Sequence, residues 1–483
     1  MAKGFNKNIT LRSVDFAKWY TNVITEADLC DYGDSSGSPK GTIIFRPYGY
    51  ALWENFQQEL NQQFKKLGVQ NVMFPLLINE KTFALEKDHI QGFAPECAIV
   101  TQVGDKKLQE NLIIRPTSEV LFCSHFQKIV SSYKQLPLLY NQWVSVVRWE
   151  KSTRPFLRNT EFLWQEGHTV HAQEQEALDL VLTIINLYAS FVEKFLAIKV
   201  ILGKKTVHER FAGALETYTI ETMMQDGQAL QAGTSHYFGQ KFAEIFNIKF
   251  SNQQNKQEFA YQTSWGTSTR LIGALVMAHS DDLGLVLPAL IAPTKMVILN
   301  LMPKDQQVSQ AVDKLAKTLA QKYSISVDAS DKSASYKKSE ATIKGIPLII
   351  EVGQQELTKQ EIKVTARHNL QATFISIKDE QQLLASLDQI LASSNHELLQ
   401  TSTNNFNSNL KEVTDFKEYQ TLIKNHKGYI IAPFCGDFQC EAEIKNLTST
   451  TSRCIPLTPY KPNAKCFKCQ KDNCPWTYFA RSY

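Results

Sequence analysis

The sequence predicts a multidomain protein of the α+β and α/β classes, on the basis of three observations. Its 483 residues are enough for about two to four domains. Its first part has alternating strand patterns joined by short connections, which favours an antiparallel sheet with helices packed on it. Its middle part alternates short apolar strands with long helical patterns, which favours a small α/β domain with a mixed sheet.

Three regions are expected, at about 1–288, 289–396 and 397–483. Near the first boundary, two prolines interrupt the apolar run LPALIAPTK at 287–295. Near the second boundary, the segment TSTNNFNSN at 401–409 is polar and has almost nothing to bury. This composition predicts a linker.

The first region is predicted to contain two amphipathic helices and several strands. One helix lies in SVDFAKWYTNVITEADL, and the other follows an apolar series at helical spacing: Leu52, Phe56, Leu60 and Phe64. VQNVMFPLL is a predicted strand, and WVSVVRWE and EFLWQEGH are predicted strands joined by the basic turn KSTRPFLRNT. In the middle region the predicted strands are KMVILNLM, SISVDAS, IPLIIEVG and TFISI, and QAVDKLAKTLAQKY is a predicted helix.

Composition and motifs exclude several classes of protein. A net charge of +4 is compatible with an RNA partner but does not indicate one. No apolar run reaches the roughly 18 residues of a membrane helix, and MAKGFNKNIT lacks the apolar core of a signal peptide. We therefore expect a cytoplasmic protein with reduced thiols and no membrane partner. The chain has neither GxxxxGK[ST] nor GxGxxG, so P-loop and Rossmann nucleotide sites are excluded.

The chemistry of the first region begins with RWE, where Arg148 and Glu150 share one strand face because successive side chains alternate. A cross-strand ion pair would explain them in isolation. The turn beyond adds Arg154 and Arg158, and the returning strand has four residues on one face: Phe162, Trp164, Glu166 and His168. Arg270 begins a helix in SWGTSTRLIGALVMAH, and an arginine beside free helix N–H groups suits an anion. Together these residues indicate a site for a triphosphate and a flat base.

These segments resemble the class II aminoacyl-tRNA synthetases, and within that class the prolyl-tRNA synthetase family of the archaeal and eukaryotic type. GVQNVMFPLL is similar to motif 1, with Pro75 as its proline. VSVVRWEKSTRPFLRNTEFLWQEGHTVH is similar to motif 2, and SWGTSTRLIGALVMAH is similar to motif 3, with Arg270 as its arginine. RPTSE at 115–119 and QAGTSHYFGQ at 231–240 match two further signatures of the family.

The resemblance implies a class II synthetase antiparallel-sheet catalytic core, an α/β anticodon-binding domain and a C-terminal α+β zinc domain. It implies an enzyme that joins proline to ATP, releases pyrophosphate and transfers the prolyl group to the 3′-terminal ribose of tRNA(Pro). Mg²⁺ would accompany ATP. Attack by a carboxylate on the α-phosphate needs in-line positioning and neutralised charge rather than a strong base.

The same resemblance implies roles for individual residues. Arg148 would hold the α-phosphate and the substrate carboxylate, and Arg270 would hold the γ-phosphate end. The other nucleotide-binding residues would be Glu150, Arg158, Asn159, Gln231, Thr234 and Ser268. Thr117 and Glu119 would accept the N–H groups of the proline nitrogen. The proline pocket would be lined by Phe162, Trp164 and His236.

Alternative roles remain open for three of these residues. Thr117 could be a helix N-cap, because an apolar-periodic segment follows it. His236 could be a buried structural histidine, and Trp164 could be a core residue.

The segment GIPLIIEVGQQELTKQEIKVTARH at 345–368 resembles the family's anticodon-binding domain. The residues that could face RNA are Glu351, Lys359, Lys363 and Arg367. The alternative is a solvated face of a small domain. Relatives typically read GPRDL where this chain reads GQQEL, so Gln355 replaces a familiar arginine and the base contacts near this loop are in doubt.

Six of the nine cysteines lie in the last region, which in a reducing compartment favours metal over disulfide. Cys435-x₄-Cys440 and Cys466-x₂-Cys469 match the spacing that the resemblance implies for a structural Zn²⁺ site. Cys474 is a rival fourth ligand, and packed thiols without metal are the alternative. Cys454 is predicted to be a buried apolar thiol.

Three wider expectations follow from the resemblance. Motif 1 forms the dimer interface in class II enzymes, so a homodimer is expected. The interval between His168 and Gln231 is too short for an inserted editing domain. The competing functions are another class II synthetase of the same subgroup, threonyl or glycyl, and a catalytically inactive paralogue that binds RNA. Loss of Arg148 or Arg270 would mark the inactive paralogue, and both are present.

Overall fold

The computed structural model describes residues 8–33, 37–85 and 97–483. Within these ranges the strands form an 11-stranded sheet, a separate 5-stranded sheet and three smaller sheets. The strands are β1 (Cys30–Tyr32), β2 (Ile43–Phe45), β3 (Gln70–Asn71), β4 (Leu77–Asn79), β5 (Ala98–Val103), β6 (Lys106–Ile114), β7 (Leu138–Val147), β8 (Glu161–His171), β9 (Val200–Lys204), β10 (Glu216–Met223), β11 (Ala229–Gly239), β12 (Lys249–Ser251), β13 (Gln257–Phe259), β14 (Tyr261–Ser268), β15 (Met296–Asn300), β16 (Ile325–Asp328), β17 (Leu348–Val352), β18 (Glu361–Ala366), β19 (Ala372–Ser376), β20 (Leu410–Glu412), β21 (Tyr429–Pro433), β22 (Thr451–Pro456) and β23 (Trp476–Ala480).

The α-helices in the described ranges include the two predicted in the first region. They are α1 (Phe16–Glu26), α2 (Pro47–Lys66), α3 (Glu80–Phe83), α4 (Glu119–Ile129), α5 (Glu174–Phe195), α6 (Lys241–Phe246), α7 (Arg270–His279), α8 (Gln306–Ala320), α9 (Ala334–Ile343), α10 (Gln354–Lys359), α11 (Glu380–Ser408), α12 (Phe416–Leu422) and α13 (Phe438–Thr448). The apolar series predicted for the second helix is buried in α2: Leu52, Phe56, Leu60 and Phe64.

The large sheet has the strand order β20-β21-β23-β22-β9-β10-β11-β14-β8-β7-β3. From β22 to β7 every neighbouring pair is antiparallel, which confirms the predicted antiparallel sheet. Helix α5 covers one side of it, and its apolar stripe is buried against the strands: Val181, Ile184, Tyr188 and Phe191. Gly167 of β8 allows the Trp265 ring to lie on the sheet, because a Cβ there would meet Trp265 Cε2 at 2.1 Å.

The 5-stranded sheet has the order β16-β15-β17-β18-β19. Strand β15 is parallel to β16 and β17, whereas β17, β18 and β19 are antiparallel. The predicted mixed sheet of the middle region is therefore confirmed. Strands β15 and β17 are buried along their whole length, which agrees with their nearly continuous apolar sequences.

The C-terminal strands continue the large sheet rather than forming one of their own. Strand β22 pairs with β9 through Ile455 opposite Lys204 and Pro456 opposite Gly203. A Cβ on Gly203 would lie 2.6 Å from Cys454 Sγ, so glycine permits this close approach. The C-terminal region is thus joined to the catalytic sheet by backbone pairing.

The predicted linker is wrong, because residues 401–409 lie almost entirely in α11, a 29-residue helix. Its buried side chains recur at helical spacing and include Phe406 near the end: Leu383, Leu387, Leu391, Ser394, Leu398 and Phe406. Phe406 packs on Tyr429 and Tyr478, so tertiary contacts override the low helix propensity of the polar segment. The predicted boundary between residues 396 and 397 falls inside this helix.

Two predicted strands are shorter than expected. VQNVMFPLL contains only β3 and the first residue of β4, and β7 ends at Val147, before Arg148. Arg148 still continues the register locally, because its N–H donates to the Thr160 carbonyl at 2.8 Å. Among the described residues, no helix combines the length and apolarity needed to cross a bilayer.

Candidate active site

A cleft opens on the face of β8, β11 and β14, three neighbouring strands of the large sheet. Its lining includes residues from RPTSE, QAGTSHYFGQ and the segments similar to motifs 2 and 3, but none from the segment similar to motif 1. Those predicted as substrate-binding are Thr117, Glu119, Arg148, Phe162, Trp164, Gln231, Thr234, His236, Ser268 and Arg270. The pairing of β8 with β14 and of β14 with β11 brings together side chains that are far apart in sequence.

One end of the cleft contains Thr117 and Glu119, which are 2% and 4% exposed. Helix α4 begins at Glu119 with Ser118 at its N-cap, so the alternative reading of Thr117 as the N-cap is wrong. The Thr117 hydroxyl instead donates to the Glu119 carboxylate. These two side chains thus present acceptor oxygens side by side, which suits a cationic ligand with N–H groups.

Arg148 lies next to two aromatic rings of β8. Its guanidinium carbon is 5.5 Å from the Phe162 ring centroid and 5.4 Å from that of Trp164, and its Nε donates to the Pro116 carbonyl at 3.0 Å. The rings and the carbonyl fix the orientation of the guanidinium. Trp164 lines the cleft rather than a closed core, and its buried Nε1 has no hydrogen-bond partner among the described residues.

His236 is both buried and part of the cleft, so its two predicted readings are compatible. Its side chain is 6% exposed, and its Nδ1 is 3.0 Å from Thr217 Oγ1. Its ring centroid lies 4.5 Å from that of Phe211. The hydroxyl and the neighbouring ring thus hold the imidazole in place at the edge of the cleft.

Arg270 is the first residue of α7, as predicted. Its Nε donates to the Leu157 carbonyl at 3.1 Å, and its N–H donates to Ser268 Oγ at 3.2 Å. Burial, followed by the nearby positive charges of Arg148, Arg158 and Arg453, lowers the pKa of Arg270 to about 10. The guanidinium is still cationic at neutral pH. An anion bound here would relieve the mutual repulsion of these arginines.

Three predicted nucleotide-binding residues lie in the turn of motif 2: Glu150, Arg158 and Asn159. The described lining of the cleft does not include them. Glu150 pairs with Arg158 at 3.7 Å, so it forms a local ion pair within the turn. Asn159 donates from Nδ2 to the Gly41 carbonyl at 3.3 Å, and its buried Oδ1 has no hydrogen-bond partner in the part of the chain that the structure describes. Their nucleotide-binding roles remain predictions.

Several cleft residues were not assigned a substrate-binding role from the sequence. Glu166, 1% exposed, is the centre of a buried network and accepts from Ser118 Oγ at 2.5 Å and Gln142 Nε2 at 2.6 Å. His168 Nε2 is 2.9 Å from its other oxygen. The alternation of side chains along β8 predicts that Glu166 and His168 lie on the same face as Phe162 and Trp164, so the sequence did contain a signal for both residues. The loop between β9 and β10 adds four more lining residues, for which the sequence had no such signal: Lys205, Glu209, Arg210 and Phe211.

The predicted metal ligands converge in the C-terminal region. The Sγ atoms of Cys435, Cys440, Cys466 and Cys469 all lie within 4.8 Å of one another. Cys474 is outside this group, and its Sγ donates to the Lys471 carbonyl at 3.2 Å. Cys454 is fully buried, as predicted.

The predicted RNA-facing residues of the middle region have different surroundings. Glu351 accepts from Lys338 and Lys363, both at 3.0 Å. Burial alone would raise its pKa, but these two lysines outweigh burial and hold the pKa of Glu351 below its ordinary value. Lys359 is exposed and 3.5 Å from Glu361. The RNA contacts of Glu351, Lys359 and Lys363 remain predictions.

The interpretation of Arg367 as an RNA-facing residue is contradicted by its burial. Arg367 is 1% exposed. It donates to both carboxylate oxygens of Asp281, at 2.8 and 2.7 Å, and to the Thr342 carbonyl at 2.8 Å. All three hydrogen bonds of the guanidinium are made inside the protein. Arg367 therefore joins the middle region to the catalytic region.

Three family models match successive parts of the chain. Residues 100–279 match the tRNA synthetase class II core domain (G, H, P, S and T), residues 295–386 match the anticodon binding domain, and residues 416–483 match the C-terminal domain of prolyl-tRNA synthetase. The cleft built on an antiparallel sheet and these matches define a class II aminoacyl-tRNA synthetase.

Similar proteins give the finer assignment. A proline–tRNA ligase of Mycoplasma mycoides is 49% identical over 100% of both chains, and one of Clostridium botulinum is 45% identical over 100% of this chain and 99% of its own. Solved prolyl-tRNA synthetases of Cryptosporidium parvum, one complexed with halofuginone and AMPPNP and one with L-proline and AMP, are 34% identical. They cover 100% of this chain and 99% of theirs, with TM-scores of 0.94 and 0.93.

The chain therefore belongs to the prolyl-tRNA synthetase family. The curated relatives named above are bacterial proteins, so they do not support the predicted archaeal and eukaryotic branch.

Proposed function

We propose that this enzyme attaches proline to tRNA(Pro) in two steps. Proline and ATP form prolyl-adenylate and pyrophosphate, and the prolyl group then passes to the 3′-terminal ribose of the tRNA. The observation that carries the proposal is the convergence, in one cleft, of ten side chains predicted from separate signatures. Both arginines that an inactive paralogue would lack are among them.

Proline would bind at the end of the cleft with Thr117 and Glu119. Its secondary ammonium group has two N–H donors and a positive charge, which match a hydroxyl and a carboxylate. Its ring would lie among Phe162, Trp164 and His236, which exclude water from the reacting carboxylate. Arg148, held between the rings and the Pro116 carbonyl, would pair with that carboxylate.

ATP would bind with its phosphates along the arginines. Arg148 would neutralise the charge that develops at the α-phosphate, and Arg270 would bind the γ-phosphate end, with Gln231, Thr234 and Ser268 around the nucleoside. The lowered pKa of Arg270 supports an anion site, because a cation surrounded by other cations gains the most from a bound phosphate.

Two metal ions belong to the proposal. Mg²⁺ would enter with ATP, since it commonly binds through phosphates and one or two carboxylates; Glu150, whose charge acts on Arg270, is a carboxylate at this end. Zn²⁺ would bind the four clustered cysteines. Their fit is supported by Sγ atoms within 4.8 Å of one another, with those of Cys435 and Cys469 3.7 Å apart, since Zn–S bonds of about 2.3 Å in a tetrahedron separate the sulfurs by about 3.8 Å.

tRNA would contact the middle region through the exposed Lys359 and the half-buried Lys363, with Glu351 exchanging its lysine partners for a base edge. A homodimer would cover apolar side chains near motif 1 that are exposed in the single chain: Met73, Leu76, Leu77 and Ile99. A cytoplasmic location is consistent with nine cysteines that form no disulfide. We also propose the three predicted regions as domains, with the second boundary moved beyond α11.

The archaeal and eukaryotic branch remains part of the proposal. Its support is the interval from 172 to 228, which holds only α5, β9, β10 and a short 3₁₀ turn, and the four-cysteine cluster of the last region. We infer that the protein does not hydrolyse Ala-tRNA(Pro). Hydrolysis of that mischarged tRNA by the pure protein would contradict this inference.

The decisive experiment is ATP–pyrophosphate exchange with each amino acid in turn. Proline alone should support exchange, and Arg270→Ala should lower the rate by about 10²–10³-fold, because it removes a charge that stabilises the transition state. Lys128→Ala, on the exposed end of α4, is the control and should leave the rate unchanged. Exchange that depends on threonine or glycine, or no exchange at all, would overturn the proposal.

A further inference from the structure

The loop between β9 and β10, here called the active-site loop (residues 205–211), lines both ends of the cleft. At one end, the Phe211 N–H donates to Thr217 Oγ1 at 3.0 Å, and its ring lies 4.5 Å from that of His236. At the other end, Lys205 Nζ is 2.8 Å from Glu221, which is paired across the sheet with Gln231. The position of this loop therefore affects both the proline side and the nucleotide side.

The outer side of the active-site loop is held by the C-terminal region. Thr206, 3% exposed, has its Oγ1 2.9 Å from Ser452 Oγ and 3.4 Å from both carboxylate oxygens of Glu441. The Ser452 hydroxyl also donates to Glu441. Two residues further along the loop, the His208 ring packs edge-on against the Phe438 ring, with the ring centroids 4.9 Å apart. Contacts from α13 and β22 thus hold two positions of the loop, Thr206 and His208.

A buried charge cluster forms the third contact. Arg453 of β22 donates from Nε and Nη2 to one oxygen of Glu221, at 3.0 and 2.8 Å, and Lys205 binds the other oxygen. The side chains of Lys205, Glu221 and Arg453 are 2%, 0% and 8% exposed. One carboxylate balances two cations here, so the position of Lys205 depends on how Arg453 engages the shared Glu221.

We propose that the C-terminal region positions the active-site loop for substrate binding, with Arg453 acting on Lys205 through Glu221, and Ser452 and Glu441 fixing Thr206. Arg453 is a positioning residue, because it is not among the described residues that line the cleft. Its charge also contributes to the lowered pKa of Arg270, after the larger effects of burial, Arg148 and Arg158. The proposal rests on the proposed function only for the identity of the ligands.

The test compares full-length, zinc-loaded wild-type protein with Arg453→Met. Without Arg453, the Lys205 ammonium should shift towards the carboxylate oxygen that Arg453 vacates. Strand β22 should also lose its side-chain link to Glu221, so its Ser452 should hold Thr206 less firmly. The Michaelis constants for ATP and proline in pyrophosphate exchange should rise by about tenfold. In the ligand-free protein, amide hydrogen exchange of residues 205–211 should become faster, while the zinc content stays that of the wild type.

Two further variants keep the test informative if Arg453→Met folds poorly. Ser452→Ala removes one hydroxyl that contacts Thr206 and should give a smaller change of the same kind. Arg453→Lys keeps the charge and should restore part of both readouts. Lys461→Met is the matched control, because it removes an exposed ion pair with Glu412 (2.6 Å) in the same region, and it should leave both readouts unchanged.

A lower melting temperature in Arg453→Met and Ser452→Ala, with unchanged Michaelis constants and unchanged exchange of residues 205–211, would show that these contacts only stabilise the fold and would overturn the proposal. Failure of the proposed function is distinguishable from this result. It would appear as absent proline-dependent exchange in the wild type, whereas the loop measurement needs no substrate.

Discussion

The catalytic region meets its two neighbours through similar arginine–carboxylate pairs in different surroundings. Towards the C-terminal region, Arg453 binds Glu221, whose side chain is 0% exposed, and Lys205 shares the same carboxylate. Towards the middle region, Arg367 binds Asp281, whose side chain is 29% exposed. The C-terminal strands also continue the large sheet, whereas the middle region has a sheet of its own.

This difference in burial indicates that the C-terminal region is an integral part of the core, whereas the middle region is a separate unit attached to it. When a fully buried ion pair loses one partner, the other charge stays buried without a counter-charge or water. This is strongly destabilising. A partly exposed carboxylate can be hydrated by water instead. The remaining contacts of the middle region include a Lys344–Asp28 pair at 3.1 Å and a small apolar cluster formed by Ala197, Val286 and Leu398. We therefore expect damage at the C-terminal contact to reach the active site, and damage at the other contact to leave adenylation largely intact.

The largest effect is expected from the double variant Cys466→Ser, Cys469→Ser. It removes two of four proposed zinc ligands, and because metal binding at such sites contributes directly to folding, the C-terminal region should lose its protection from hydrogen exchange and its zinc. Pyrophosphate exchange should fall as well, since this region holds the active-site loop. Metal analysis and hydrogen exchange check these outcomes.

Cys474→Ser is the control for the metal site, because Cys474 lies outside the cluster. It should retain zinc near one ion per chain. Wild-type stability in a protein shown to contain no metal would contradict the zinc proposal.

A large but smaller effect is expected from Glu221→Ala. It leaves Lys205 and Arg453 buried without a counter-charge, so the free energy of unfolding should fall by about 3–5 kcal/mol. Chemical denaturation measures the change. Glu412→Ala, which breaks the exposed pair with Lys461, should change it by at most about 1 kcal/mol, and equal effects of the two variants would remove the distinction between buried and exposed pairs.

The pH dependence of the Glu221 variants sharpens the same point. Burial alone would raise the pKa of Glu221, but Arg453 and Lys205 hold it below the ordinary value of 4.5. A depressed pKa stabilises the folded protein above pH 4.5, and this contribution is lost as the pH falls through the lower folded-state pKa. The difference in unfolding free energy between the wild type and Glu221→Gln should therefore be constant near neutrality and shrink on acidification.

The smallest effect on the catalytic core is expected from Arg367→Met. Loss of its hydrogen bonds to Asp281 should lower the free energy of unfolding by about 1.5–3 kcal/mol. Aminoacylation of tRNA should fall more than pyrophosphate exchange, because the middle region is the one expected to hold the anticodon. An equal loss in both assays would place Arg367 in the adenylation machinery and contradict the comparison.

The sequence predicted the parts of the fold and site whose signals are local. Alternation placed Phe162, Trp164, Glu166 and His168 on one face, and helical spacing placed Arg270 at the start of α7. Cysteine spacing identified four thiols that do converge. In each case the determining residues lie within one or two short segments, so period and spacing carry the information.

The errors arise where distant contacts decide the outcome. The polar segment at 401–409 is helical because Phe406 packs on rings of β21 and β23, and its own composition gives no sign of this. Arg367 looked like an RNA-facing cation, but its partner Asp281 lies 86 residues away. The cluster of Lys205, Glu221 and Arg453 was missed for the same reason, since Arg453 and Glu221 are 232 residues apart.

The strand order of the C-terminal region has a consequence for biosynthesis. Strand β23 lies between β21 and β22, although it follows both in the chain, so neither can complete its pairing until β23 has emerged from the ribosome. During translation, β21 and β22 each have an unpaired edge until β23 has been made, and such edges are prone to aggregation. Two of the clustered cysteines follow β21 and two precede β23, so a bound metal ion would tether the start of β23 to the end of its neighbour β21.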